Sequence, residues 1–139
     1  MSNNDIKEYD RSTTSIEEEQ RMQEKLIQAI NKGDLKAYNE VSNFHLLNEN
    51  WNFFYYSFLM ANKYNCPEAH YHIYVYLTDE ITVNGVNLYS DDKNTRNIAY
   101  YHLLKSHELG FDGGKLVIDN LFGSDVPSSS SYLLEMAKE

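Results

Sequence analysis

Histidine, cysteine and paired carboxylates are the side chains here whose chemistry could make a site, and their spacing tests each possibility. The five histidines are His45, His70, His72, His102 and His107. His70 and His72 are two apart and leave a helix on different faces, and His102 and His107 diverge by more than a right angle. There is no HExxH pattern and no cysteine pair, so no metal site is expected. His45 and His102 read as satisfied, partly buried histidines. Cys66 is the only cysteine and stands directly before Pro67, without an identifiable catalytic partner. It is expected to be a buried, neutral thiol. Gly113-Gly114 lacks the Lys-Ser/Thr ending of a phosphate loop. Asp79-Glu80 and Asp91-Asp92 bracket a loop, a poor place to hold an acid–base pair rigidly. The residues predict no enzyme, no cofactor and no bound metal.

Charge narrows the partners. The 139 residues carry a formal net charge of −9. Such a field repels phosphate backbones and anionic membranes, so neither nucleic acid nor a membrane is an expected partner. An acidic surface favours a basic protein, although it also serves solubility. Apolar residues make up 42% and aromatic ones 14%, the latter mostly tyrosine, which argues for a folded chain. No run approaches the roughly 20 apolar residues of a membrane span, and the N-terminus has no secretory core. A lone cysteine fits a reducing compartment. These features together predict a cytoplasmic protein.

The elements that must position these residues read as helices. Residues 1 to 13 are polar and aperiodic, a loose leader, and residues 14 to 139 read as a single domain. Ser15 with Glu18 forms a capping box ahead of the stripe Ile16, Met22, Leu26, Ala29 and Ile30. Asp34 is placed to cap a second helix bearing Leu35, Tyr38, Val41, His45 and Leu46. A polar break at 48–50 precedes an aromatic face of Trp51, Phe54, Tyr55, Phe58, Leu59 and Asn62. Pro67 suits the first position of a fourth helix, with Ala69, Ile73, Tyr76 and Leu77 inward. Between 80 and 92 the helical pattern fails around Asn84-Gly85. That stretch is either a long loop or a small hairpin, and the loop is preferred because two isolated strands are marginal. Asp91, Asp92 and Thr95 are cap candidates for a helix to Leu109, ended by Gly110. A sixth helix spans Gly114 to Phe122, and Ser131 is expected to cap a last one.

Three of these boundaries share a pattern. Ala29, Gly33 and Ala37 are four apart, and so are Ala61, Asn65 and Ala69, and Ser106, Gly110 and Gly114. Small residues at that spacing let two helices approach near a turn, and the middle residue supplies a left-handed helix end. Three such copies read as an internal repeat.

At this level the chain resembles a known family. "CPEAHYHIYVYL", "NGVNLYSDD" and "NIAYYHLLKSHELGFDGGKLVIDNLFG" look like one unit of a SEL-like repeat, a relative of the tetratricopeptide repeat. Glu68-Ala69 and Tyr71 match the family's first helix, and Gly85-Val86 and Asp91 its loop. Ala99, Tyr100, Tyr101, Ser106 and Gly110 match its second helix. The cover is about residues 50 to 123. Ile73-Tyr74 replaces the usual Leu-Gly, the loop is long, and His107 stands where a small residue is usual. The resemblance implies an all-α fold, a short α-solenoid of antiparallel helix pairs whose concave side binds proteins.

Tyr71, Tyr74, Tyr76, Tyr100 and Tyr101 cannot all face one core stripe, and exposed tyrosine is common where proteins bind proteins. Tyr71, Tyr74, Tyr100 and Tyr101, with Glu80, Asp91 and Asp92, are therefore the expected partner-binding residues. The function expected is a small acidic module that blocks or sequesters a basic protein, most concretely a bacterial immunity protein neutralising a cognate toxin. It would act as a monomer or weak homodimer. The alternative is a structural adaptor or self-assembling scaffold, with Trp51, Phe53, Phe54 and "YLLEMA" at its contacts.

Overall fold

A computed structural model describes residues 3–47, 53–79, 82–83 and 85–137. Seven helices and one two-stranded hairpin account for the described elements. The all-helical expectation holds. Internal contacts divide the chain into two compact units, Met1–Asn48 and Glu49–Glu139, with the division in the polar break expected between helices. Trp51, Glu80, Ile81 and Asn84 lie outside the described residues.

The first unit is a helix pair, α1 (Asn3–Lys32) and α2 (Leu35–Leu47). The backbone is helical from Asn3, so Ser15 sits within α1 rather than at its start, and the leader expected to be loose is helical from that residue. Extending an existing helix adds one hydrogen bond per residue and repeats none of the nucleation cost. Gly33, at φ 70°, closes α1, its N–H donating to the Ala29 carbonyl at 2.8 Å. Asp34 then caps α2 as expected, accepting from the Ala37 N–H at 3.1 Å. Met22, Leu26 and Ala29 of α1 and Ala37, Tyr38, Val41 and Ser42 of α2 are buried. Ile16 and Leu35, expected on the apolar stripes, are exposed. Lys25 and Glu40 form an ion pair between α1 and α2.

The second unit contains α3 (Phe54–Tyr64), α4 (Pro67–Thr78), β1 (Thr82–Val83), β2 (Val86–Asn87), α5 (Lys93–Glu108), α6 (Lys115–Phe122) and α7 (Ser129–Ala137). Helix α3 packs on α4, α4 on α5, and α5 on both α7 and α6. One part of its core is Leu103 and Leu104 of α5 with Ile118 of α6, closed by Tyr71, Tyr74, Val117, Phe122 and Tyr132. The buried face of α3 is Ser57, Met60 and Ala61, whereas Tyr55, Phe58 and Asn62 of the expected aromatic face are exposed. Phe54 of the aromatic face meets Tyr76 of α4 at 5.4 Å, while Tyr55 and Phe58 turn outward.

The segment preferred as an irregular loop is a hairpin. Thr82 pairs with Asn87 and Val83 with Val86, antiparallel, and Gly85 holds φ 82° at the turn. A two-residue connection of this register needs positive φ, which glycine adopts without strain.

The three small-residue triads behave alike. Their outer members Ala29, Ala37, Ala61, Ala69, Ser106 and Gly114 are all buried. Their middle members are left-handed: Gly33 at φ 70°, Asn65 at 51° and Gly110 at 102°. Around Gly110 the Phe111 N–H reaches the Ser106 carbonyl at 3.0 Å and the Gly110 N–H the His107 carbonyl at 3.0 Å, a Schellman end to α5.

Candidate interaction surface

The expected partner-binding side chains come from α4, α5 and the segment joining them. Pro67 starts α4 at a position where no N–H is required, and Asp92 starts α5. Asp92 accepts from the Thr95 N–H at 3.0 Å, the Thr95 hydroxyl at 2.6 Å and the Ser90 hydroxyl at 2.7 Å. These hydrogen bonds, led by the Thr95 hydroxyl, hold its carboxyl down at about 2. It therefore stays ionised at any neutral condition, committed to its cap yet exposed. Asp91 beside it is exposed and accepts from the Tyr89 hydroxyl.

The four tyrosines divide into two groups. Tyr71 packs on Tyr74 at 6.2 Å and on Phe111 at 5.2 Å. It also lies over Gly114, where an added Cβ would come 3.1 Å from its ring and 2.9 Å from Leu103. Tyr100 meets Phe122 at 5.9 Å and Tyr132 at 5.5 Å. Tyr74 stands near both groups: burial raises its phenol first, with smaller contributions from Tyr100, Tyr71 and Asp79. Tyr71, Tyr74 and Tyr100 thus line the side of α4 and α5 that meets α6 and α7, each half-buried. Tyr101 points elsewhere, with its ring 5.1 Å from His102 and 6.4 Å from His70. Packing uses much of each ring and leaves the rest at the surface.

The hairpin is more open. Val86 is 58% exposed and Tyr89 37%, while Leu88 is half-buried. Exposed Asp79 precedes it and exposed Asp91 and Asp92 follow it. An apolar tip flanked by carboxylates is the combination that a cationic, partly apolar surface would complement.

No family model matches the chain, and neither does a curated protein or a solved structure.

A pair that sequence spacing concealed lies beneath these surfaces. His70 Nδ1 and His102 Nδ1 are 2.8 Å apart and buried. His70 Nε2 lies 3.4 Å from Asn65 Oδ1. Burial drives His70 down to about 4, with Lys105 adding to the effect, and His102 down to about 3, with His70 adding. Their separation of 32 residues hides them from any local motif. The usable signal was indirect: His70 follows Ala69, the buried end of a small-residue triad, and so enters the tight helix contact. Cys66 is buried, and burial pushes its thiol up, away from the thiolate a nucleophile needs. Among the described residues no group of three or more His, Cys, Asp or Glu side chains could hold a metal ion. Among them, too, no helix is long and apolar enough to cross a membrane.

Proposed function

We propose that this chain is a small acidic protein-binding module, a short SEL-like helical solenoid that blocks or sequesters a basic protein. In its most concrete form it is a bacterial immunity protein acting in the cytoplasm on a cognate toxin. The observation that carries the reading is the hairpin: exposed Val86 and Tyr89 between exposed Asp79 and the Asp91-Asp92 pair, on a chain of net charge −9. Apolar anchors give a protein interface its affinity, and surrounding carboxylates attract and orient a cationic partner. The half-buried rings of Tyr71, Tyr74 and Tyr100 on α4 and α5 offer such a partner further aromatic contacts. Recovery of complexes from the native cell tests it. A basic protein that loses its hold on the Tyr89→Ala and Asp91→Lys variants supports the reading. Acidic partners only, or a basic one indifferent to both changes, would sink it.

The scaffold reading is favoured by a different observation. Leu133 and Leu134 of α7 are 52% and 65% exposed, and Leu116 of α6 is 73% exposed. Phe53, expected at such a contact, is instead buried. A dimer that resists high salt and dissociates on Leu134→Glu supports self-assembly, and a monomer at all concentrations removes it.

A further inference from the structure

The buried imidazole pair has a hydrogen-bond arithmetic of its own. Two nitrogens 2.8 Å apart can share only one proton, so one Nδ1 donates and the other accepts. The Ala61 carbonyl accepts from the His70 ring, and Asn65 Oδ1 lies beside its Nε2. His70 therefore carries its hydrogen on Nε2 and accepts at Nδ1, and His102 donates from Nδ1. Helix α4 contributes one ring near its start and α5 the other toward its end, so the contact joins the two helices.

The surroundings offer a proton no support. From α3 the pair meets the Ala61 carbonyl and Asn65. From α5 it meets the Tyr101 ring and the Lys105 ammonium, whose charge opposes a second cation on His70. Among the described residues, no carboxylate from α3 to α7 contributes to the charge of either ring. A proton on His70 Nδ1 sets N–H against N–H and breaks the contact. A proton on His102 instead leaves a buried cation without a counter-ion. Protonating both rings requires them to separate.

We infer that the His70–His102 contact is a proton-operated latch, closing α4 on α5 while both rings are neutral and opening when they are protonated. Both histidines are held below their ordinary 6.5, His70 at about 4 and His102 at about 3. The folded state thus resists protons that the unfolded chain accepts. The stabilisation is complete above about pH 6.5 and is lost as pH falls from there toward the folded values. Between pH 7 and 5 the opening equilibrium rises about twentyfold for each ring, and His72 of α4, also held at about 4 by burial, adds a similar factor wherever opening exposes it.

The test uses the full chain labelled with ¹⁵N at histidine, with amide exchange followed from pH 7 to 5. At pH 7 one ring should carry hydrogen on Nδ1 and the other on Nε2. On acidification, with His72→Gln removing the other histidine of α4, amides of α4 and α5 should lose protection about four-hundredfold, while those of α1 and α2 lose much less. Rings that titrate near 6.5 with α4 and α5 unchanged would overturn the latch. His102→Asn places an N–H donor near the lost Nδ1–H but cannot be protonated. About one of the two twentyfold acid losses should then disappear, and an undiminished loss also overturns the inference. The titration with His70 and His102 both present and His72 replaced decides the matter even if the His102 variant does not fold.

Discussion

At the residue scale, the left-handed helix ends were the most legible feature, because backbone strain is a property of one position. Asn65 holds φ 51°, the only positive φ on a non-glycine side chain among the described residues. Asparagine tolerates this conformation, glycine does so freely, and alanine pays about 1 kcal/mol. Asn65→Ala should therefore destabilise by about 1 kcal/mol in denaturant melts, and Asn65→Gly by clearly less. Equal losses would show that the Asn65 side chain matters through His70 rather than through the turn. Histidine pairing was illegible for the opposite reason. His70 and His102 were judged by their nearest histidines in sequence, and the contact that matters crosses from one helix to another. The expected tyrosines stand between these cases. Their partial exposure could be reasoned from the crowding of one stripe, but not the rings each would meet. Tyr101 separates from Tyr71, Tyr74 and Tyr100 because it follows Tyr100 directly and so leaves α5 in another direction.

At the element scale, boundaries marked by Pro, Gly and Asp were readable and faces were less so. Pro67, Asp92, Gly110 and Gly123 stand where α4 to α6 begin or end. The aromatic period of α3 says little about burial, since Tyr55 and Phe58 are exposed and Ser57, Met60 and Ala61 are buried. Helix α7 begins at Ser129, ahead of the expected cap at Ser131, for a reason no local pattern contains. Glu108, at the end of α5, accepts from the Ser129 N–H at 2.8 Å and from its hydroxyl at 2.7 Å. A carboxylate from another helix thus occupies the place of an N-cap and suits the positive end of α7. Glu108→Ala should fray α7, lowering its amide protection by about 1 kcal/mol and leaving α4 unaffected. Unchanged exchange in α7 would show that packing on α5 holds it without the cap. The hairpin follows a similar logic in reverse. Among the described residues its ladder joins β1 to β2 alone, and Val86 and Tyr89 are exposed. Replacing residues 82 to 89 with a short Gly-Ser linker should leave helical circular dichroism and melting nearly unchanged. It should weaken partner binding about tenfold, roughly 1.4 kcal/mol. A collapse of melting would assign the hairpin to the core.

At the scale of the whole molecule, charge is what the sequence states most directly and what bears most on encounter. The chain has 21 acidic residues against 12 Lys and Arg, giving the net −9. At physiological ionic strength exposed charges act over about 8 Å, so the field mainly concerns a partner already close to the surface. Its effect should therefore appear in association rather than in the lifetime of the complex. Asp91 makes the better probe, since Asp92 is committed to capping α5 and an asparagine at 91 can still accept from the Tyr89 hydroxyl. Asp91→Asn should slow association with the basic partner and flatten its dependence on salt, with dissociation nearly constant. Tyr89→Ala should do the reverse, removing an apolar contact and hastening dissociation at an unchanged encounter rate. Rate measurements at low and high salt on both variants separate the two contributions. An association rate indifferent to salt in the wild type would mean that the acidic surface serves solubility, and that recognition rests on the apolar residues alone.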